Sequence, residues 1–165
     1  MIERRVIFID ISKQLLTVFD KQHRVVTRYS ISSSVKGLGE QKDSNQTPRG
    51  LHIIRAKIGE NLPIYSVFVA RRPTGEIFSE KLRAQFPNRD WILTRILWLS
   101  GLEIGVNRLG TVDTMQRFIY IHGTADEDKI GVPNSHGCIR MRNHDVIDLF
   151  DRVDVNELVM IQEHA

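Results

Sequence analysis

The stretch RRVIFIDISKQLLTVFDKQHRVVTRYSI, residues 4 to 31, holds three apolar runs separated by only a few polar residues. In RRVIFIDI, Val6 and Phe8 alternate with Ile7 and Ile9, and the β-branched content suits a strand covered over most of its surface. QLLTVFD at 14 to 20 and HRVVTRYSI at 23 to 31 have the same character, with Ser12-Lys13 and Lys21-Gln22 as the breaks between runs. Breaks this short leave no room for helical crossovers, so the three runs predict an antiparallel meander.

Beyond the meander, residues 32 to 49 are polar and lead into Thr47-Pro48-Arg49-Gly50. This is turn chemistry, since Pro48 fixes φ and Gly50 tolerates a positive one. LHIIRAKI at 51 to 58 and YSVFVA at 65 to 70 read as strands, and ILTRILWL at 92 to 99 suits either a strand or a buried helix. EIFSEKLRAQF at 76 to 86 places Ile77, Leu82 and Phe86 among charges and predicts a short helix. In RFIYIH, residues 117 to 122, Phe118, Tyr120 and His122 share one strand face, with Ile119 and Ile121 on the other. Tyr120 could therefore line a cleft beside His122, although core packing accounts for it equally simply. Asn143 is placed to cap a helix that carries Val146, Ile147, Phe150 and Val153 on one stripe and Asp145 in its first turn. ELVMIQ closes the chain as a last strand. With no repeat and no low-complexity tract, the pattern predicts one mostly β domain over 1–165 with one or two helices.

Composition narrows the partners. A formal charge of +3 with basic and acidic residues interspersed offers neither a basic helix nor interleaved aromatics, so a nucleic-acid partner is not expected. MIERRVIFIDISKQLLTVFD meets charge at Glu3, Arg4, Arg5 and Asp10. That pattern breaks both an apolar signal core of about 7 to 15 residues and a membrane span of about 20. The expectation is a cytoplasmic protein with no membrane partner.

Cys138, in SHGCIRMRN at 135 to 143, is the only cysteine of the chain, and no internal disulfide can form. A thiol of pKa about 8.5 needs a base or cation nearby to work at neutral pH. His122, sixteen residues upstream, and His136, two residues before the sulfur, supply candidate bases. Gly137 permits a tight turn whose amides can face an oxyanion. These are the parts of thioester acyl transfer; a buried, inert cysteine is the plain alternative. His122, His136, Cys138 and His144 could also form a zinc site, although Cys-x-x-Cys spacing is missing. His23, His52, His144 and His164 otherwise read as surface or hydrogen-bonded structural residues.

The chain resembles the L,D-transpeptidase catalytic-domain family. The resemblance rests on a strand ending in IHGT, twelve residues from Gly123 to Asn134, and then SHGCIRM with Asn143 and Asp145 behind it. The three opening strands, TPRG at 47 to 50, LSGLEIGVNR at 99 to 108 and DTMQRFIYIHGT extend it over nearly the whole chain. It implies the β-rich L,D-transpeptidase catalytic fold, with mixed sheets or a β-sandwich, and no cofactor or metal. It also implies roles. Cys138 would attack the amide joining meso-diaminopimelate, at its L-centre, to the terminal D-alanine of a peptidoglycan tetrapeptide stem. His122 would take the thiol proton and return it to the leaving amine, with its second nitrogen held by a carbonyl near Gly123. His136 would line and orient the site, Ser135 and Gly137 would shape the turn, and the Cys138 amide would meet the oxyanion.

Arg140, where many members carry Asn and others Arg, could grip the free carboxylate of a D-alanine terminus through two parallel hydrogen bonds. A structural ion pair with Asp145 or Asp148 is the competing expectation, and Arg49 is a weaker carboxylate candidate. The acceptor decides the outcome. An amine of a second stem gives a cross-link or an exchanged D-amino acid, and water gives an L,D-carboxypeptidase. The cytoplasmic expectation favours water, hence trimming of free or muropeptide-linked tetrapeptides during peptidoglycan recycling.

Overall fold

A computed structural model of the chain describes residues 4–164. Val6–Asp10 (β1), Leu15–Phe19 (β2) and Val25–Ser32 (β3) form the expected antiparallel meander, with Val6 opposite Phe19 and Leu15 opposite Ser30. Its turns are built by carboxylates. Asp10 accepts from the Ser12 hydroxyl at 2.7 Å, and Asp20 accepts from the Gln22 and Arg24 amides at 2.8 and 2.9 Å.

Gly50–Ile58 (β4), Ser66–Val69 (β5), Arg72–Ile77 (β6), Ile92–Gly101 (β7), Tyr120–Gly123 (β8), Ile139–Met141 (β9) and Leu158–Gln162 (β10) complete one mixed sheet. Its order is β4-β10-β1-β2-β3-β9-β8-β7-β5-β6, and an additional β4–β7 pairing closes the first eight strands into a ring. The pairs β1–β10 and β8–β9 are parallel. Residues 92 to 99 thus resolve as strand, because β7 finds partners on both edges, β8 on one and β4 with β5 on the other. The described residues are mostly β with two α-helices, as expected.

Inward side chains alternate with period two, so Ile7 and Ile9, Leu16 and Val18, Leu97 and Leu99, Ile121, Ile139 and Met141 meet in one apolar core. Asn143–Arg152 (α2) packs Val146, Leu149 and Phe150 into it. Leu149 is fully buried there, whereas Ile147, expected on the stripe, is only half-buried. The helix expected over 76 to 86 is shorter. Glu76 and Ile77 belong to β6, and Glu80–Gln85 (α1) begins only where Ser79 accepts a hydrogen bond from the Leu82 amide at 3.1 Å. No helix among the described residues is long and apolar enough to cross a membrane.

Candidate active site

Three facts of strand geometry assemble the site. β8 and β9 run parallel, with Ile121 beside Ile139 and His122 beside Arg140. Side chains on a strand alternate faces, so Ile121 and Ile139 point into the ring while Tyr120, His122 and Arg140 share the outer face. Cys138 lies two residues before Arg140 and so belongs to that outer face.

Neighbouring strands then cover this face. Phe68 of β5 packs on Ile96 and Tyr120, and the Cys138 side chain rests against the same cluster. The sulfur accepts the Tyr120 amide and donates to the Phe118 carbonyl, both at 3.3 Å. His122 and Cys138 line one cavity of about 360 Å³, with Tyr120, Phe118, Arg71 and Ile92 among its walls. A second, more polar cavity of about 330 Å³ adjoins it, and Asp90, His136 and Arg140 line both.

His122 is 2 % exposed, and its Nδ1 lies 2.7 Å from the Gly123 carbonyl. Nδ1 therefore carries the proton as donor, which leaves Nε2 as the basic nitrogen. Burial pulls the imidazole pKa down to about 4, partly offset by the Gly123 carbonyl and by Asp90. Burial likewise pushes the Cys138 thiol up to about 12, with the Tyr120 amide pulling the other way. Thiol and imidazole both rest uncharged at neutral pH.

The SHGC segment is held from several sides. Ser135 Oγ accepts the Gly137 amide at 3.2 Å and donates to the Cys138 carbonyl at 2.6 Å. Gly137 has φ +133°, and a Cβ there would approach Ile119 at 3.1 Å and the Gln46 carbonyl at 3.3 Å, so both conformation and space select glycine. Thr47 Oγ1 donates to the Gly137 carbonyl at 2.9 Å and accepts the Ser34 amide at 3.0 Å. The turn at 47 to 50 thus supports the cysteine loop through its threonine, a role no local signal could give to a residue 90 positions upstream.

Several expected partners are replaced. Arg140 does not pair with Asp145 or Asp148. Its guanidinium donates to the Asn134 carbonyl at 2.9 Å and lies 3.5 Å from Asp90 and 4.0 Å from Asp126. Asp145 faces Arg142, the residue just before α2, and Asp148 faces Arg152 in the last turn of the helix. Asn143 is not the N-cap but the first helical residue. Its buried side chain accepts from Thr94 at 2.5 Å and donates to the Thr124 carbonyl at 2.8 Å and to Glu127 at 2.6 Å, while Glu127 also accepts the Asn143 amide at 3.0 Å. Arg49 is bound to Glu40 at 3.1 Å and lines a cavity bounded by Met160 and Ile161, away from the thiol.

The histidines divide as well. His136 is exposed and lines both site cavities. His52 is buried between the Gly50 carbonyl and Thr114, each at 3.0 Å, and His144 is exposed on α2 outside both cavities. Among the described residues, no cluster of three or more His, Cys, Asp or Glu side chains could hold a metal ion, so the donors proposed for zinc do not converge. Arg71 and Asp90, which face the thiol cavity, escaped the sequence reading because neither lies near the SHGC or HGT motifs.

Comparison with known proteins follows the same lines. The YkuD family, described as the L,D-transpeptidase catalytic domain, matches residues 4–161. A segment of 65 residues is 43% identical to YqjB of Bacillus subtilis (strain 168), which carries a provisional L,D-transpeptidase name; the match spans 39% of this chain and 35% of that protein. An L,D-transpeptidase structure from Mycobacterium smegmatis superposes with a TM-score of 0.56 at 18% identity, over 96% of this chain and 58% of the other. L,D-transpeptidase 3 from Mycobacterium tuberculosis, solved with a faropenem-derived adduct, gives 0.58 at 17% identity, over 97% and 60%. The chain thus spans about three fifths of these solved chains, and their resemblance to it is one of fold.

Proposed function

The chain belongs to the L,D-transpeptidase catalytic domain family, and from that premise we propose that it performs cysteine-dependent acyl transfer on peptidoglycan tetrapeptide stems, cleaving the meso-diaminopimelate–D-alanine bond. The observation that carries this reading is the shared cavity of His122 and Cys138, with the imidazole tautomer fixed by the Gly123 carbonyl.

Cys138 Sγ attacks the stem carbonyl as its proton passes to His122 Nε2. Burial disfavours the charged form of each group, which suits transfer of the proton to the imidazole as the sulfur attacks, in general-base fashion. Among the described residues the Cys138 amide has no hydrogen-bond acceptor, so it is free to receive the oxyanion, with Gly137 and Ser135 fixing its direction. Collapse returns the proton to the departing D-alanine amine and leaves a thioester. An acceptor deprotonated by His122 then releases the stem and restores the thiol. His136 and Arg140 form the wall shared by the two cavities and orient the substrate.

Water as acceptor makes the protein an L,D-carboxypeptidase that yields tripeptide stems. The second reading is transfer to an amine, for which the adjoining chamber offers space beside the thiol cavity. A disaccharide tetrapeptide incubated with the protein, with and without an added D-amino acid or acceptor stem, distinguishes them by mass spectrometry. Loss of one alanine alone supports hydrolysis; exchanged or dimeric product supports transfer. Turnover by Cys138→Ala at the wild-type rate would remove the thioester mechanism.

A further inference from the structure

The hairpin joining β5 to β6 turns through two residues, Ala70 and Arg71, since Val69 pairs with Arg72. Both have positive φ, 48° and 67°. Two-residue turns of this kind ordinarily use Asn or Gly, because a side chain at positive φ strains the backbone. Here the strained position carries an arginine, and that arginine faces the thiol cavity.

The Arg71 guanidinium lies 4.9 Å from the centre of the Trp98 ring and 4.7 Å from that of Phe118. One of its nitrogens donates to the Tyr120 hydroxyl at 3.0 Å. Stacking against rings fixes the orientation of the guanidinium, and one bond to Tyr120 leaves most of its five N–H donors unused. Among the described residues Arg71 has no carboxylate within ion-pair distance, whereas Arg140 has two. The thiol cavity therefore holds one arginine with carboxylates within ion-pair distance and, among the described residues, one without.

Resting on the acyl-transfer reading, we propose that Arg71 is the residue that recognises the free α-carboxylate of the stem's terminal D-amino acid, making the enzyme specific for stems that end one residue beyond the attacked carbonyl. Tyr120 supplies the ruler, because its amide touches the thiol and its hydroxyl touches the guanidinium. The thiol that attacks the stem and the guanidinium that receives its terminal residue are thereby fixed to opposite ends of one tyrosine. A stem extended past this residue, or one whose terminus is amidated, offers no carboxylate at that place.

The test measures binding and turnover separately. In the Cys138→Ala background, calorimetry with tetrapeptide ending in D-alanine and in D-alaninamide should show the acid binding about 10- to 100-fold tighter. Arg71→Gln should abolish that difference by weakening the acid alone. Amidation of the diaminopimelate side-chain carboxylate should leave the discrimination by Arg71 unchanged. Equal affinity for acid and amide, discrimination that survives Arg71→Gln, or an Arg71 effect that follows the diaminopimelate carboxylate each overturns the assignment. In the wild-type protein, mass spectrometry follows the thioester and the lost alanine. Preferential binding of the acid without acylation would sink the acyl-transfer reading and leave the Arg71 assignment standing, while turnover of acid and amide at equal kcat/KM would sink Arg71 alone.

Discussion

Two buried histidines make the protein respond to acid in two distinguishable ways. Burial holds His122 at a pKa of about 4, so the imidazole stays a competent base far below the ordinary range. The expected kcat/KM is therefore level from about pH 8 down to about pH 5, falling only as pH nears the depressed value. An acid limb centred near 6.5 would show an imidazole that works in contact with solvent. Replacing His122 with Asn should lower kcat by about 10²- to 10⁴-fold while stem binding persists. His52, also buried, is likewise held near 4. For both residues the folded value lies below the unfolded 6.5, so unfolded chain takes up more protons between those limits. Their contribution to stability is complete above pH 6.5 and is lost as pH falls toward the depressed values. Denaturant unfolding at pH 7, 6, 5 and 4.5 should show that decline, and His52→Gln should make its slope shallower.

The junction of β7, β8 and α2 is where elements are fastened to one another. Asn143 spends its side chain on Thr94 of β7, on the Thr124 carbonyl just past β8 and on Glu127, which leaves the capping of α2 to that glutamate. Asn before an amphipathic run reads as a cap because local spacing is all the sequence offers, and Glu127 lies 16 residues away. Gly123 sits in the same junction, where a Cβ would fall 2.3 Å from Asn143 Oδ1 and 2.8 Å from the Leu93 carbonyl. Backbone at Leu93 cannot step aside as a flexible side chain could. Gly123→Ala should destabilise the protein by about 1–3 kcal/mol. It should also lower kcat by displacing the carbonyl that orients His122, both effects being readable by thermal unfolding alongside a turnover assay.

The ring of strands brings distant segments of chain to one site. β8 and β9 lie between β3 and β7, and the cysteine loop between them is clamped by Thr47 and Ser135. Thr47→Val keeps the shape but removes the donor to Gly137 and the acceptor for Ser34, both buried. A loop shifted by about 1 Å can lower turnover about 10²-fold. The variant should therefore lose roughly 10- to 100-fold in kcat with little change in KM, and a proportionate rise in KM alone would place Thr47 outside the positioning of Cys138. The sequence by itself determined the meander, the mostly β composition and the thiol and imidazole motifs, because period-two apolar patterning and motif spacing are local properties written along the chain. It left the partner of Arg140, the true cap of α2 and the part played by Arg71 undecided. Those follow from which strands become neighbours: ring closure sets β7 against both β4 and β8, and with it which charges meet, which side chains leave water and which arginine remains free.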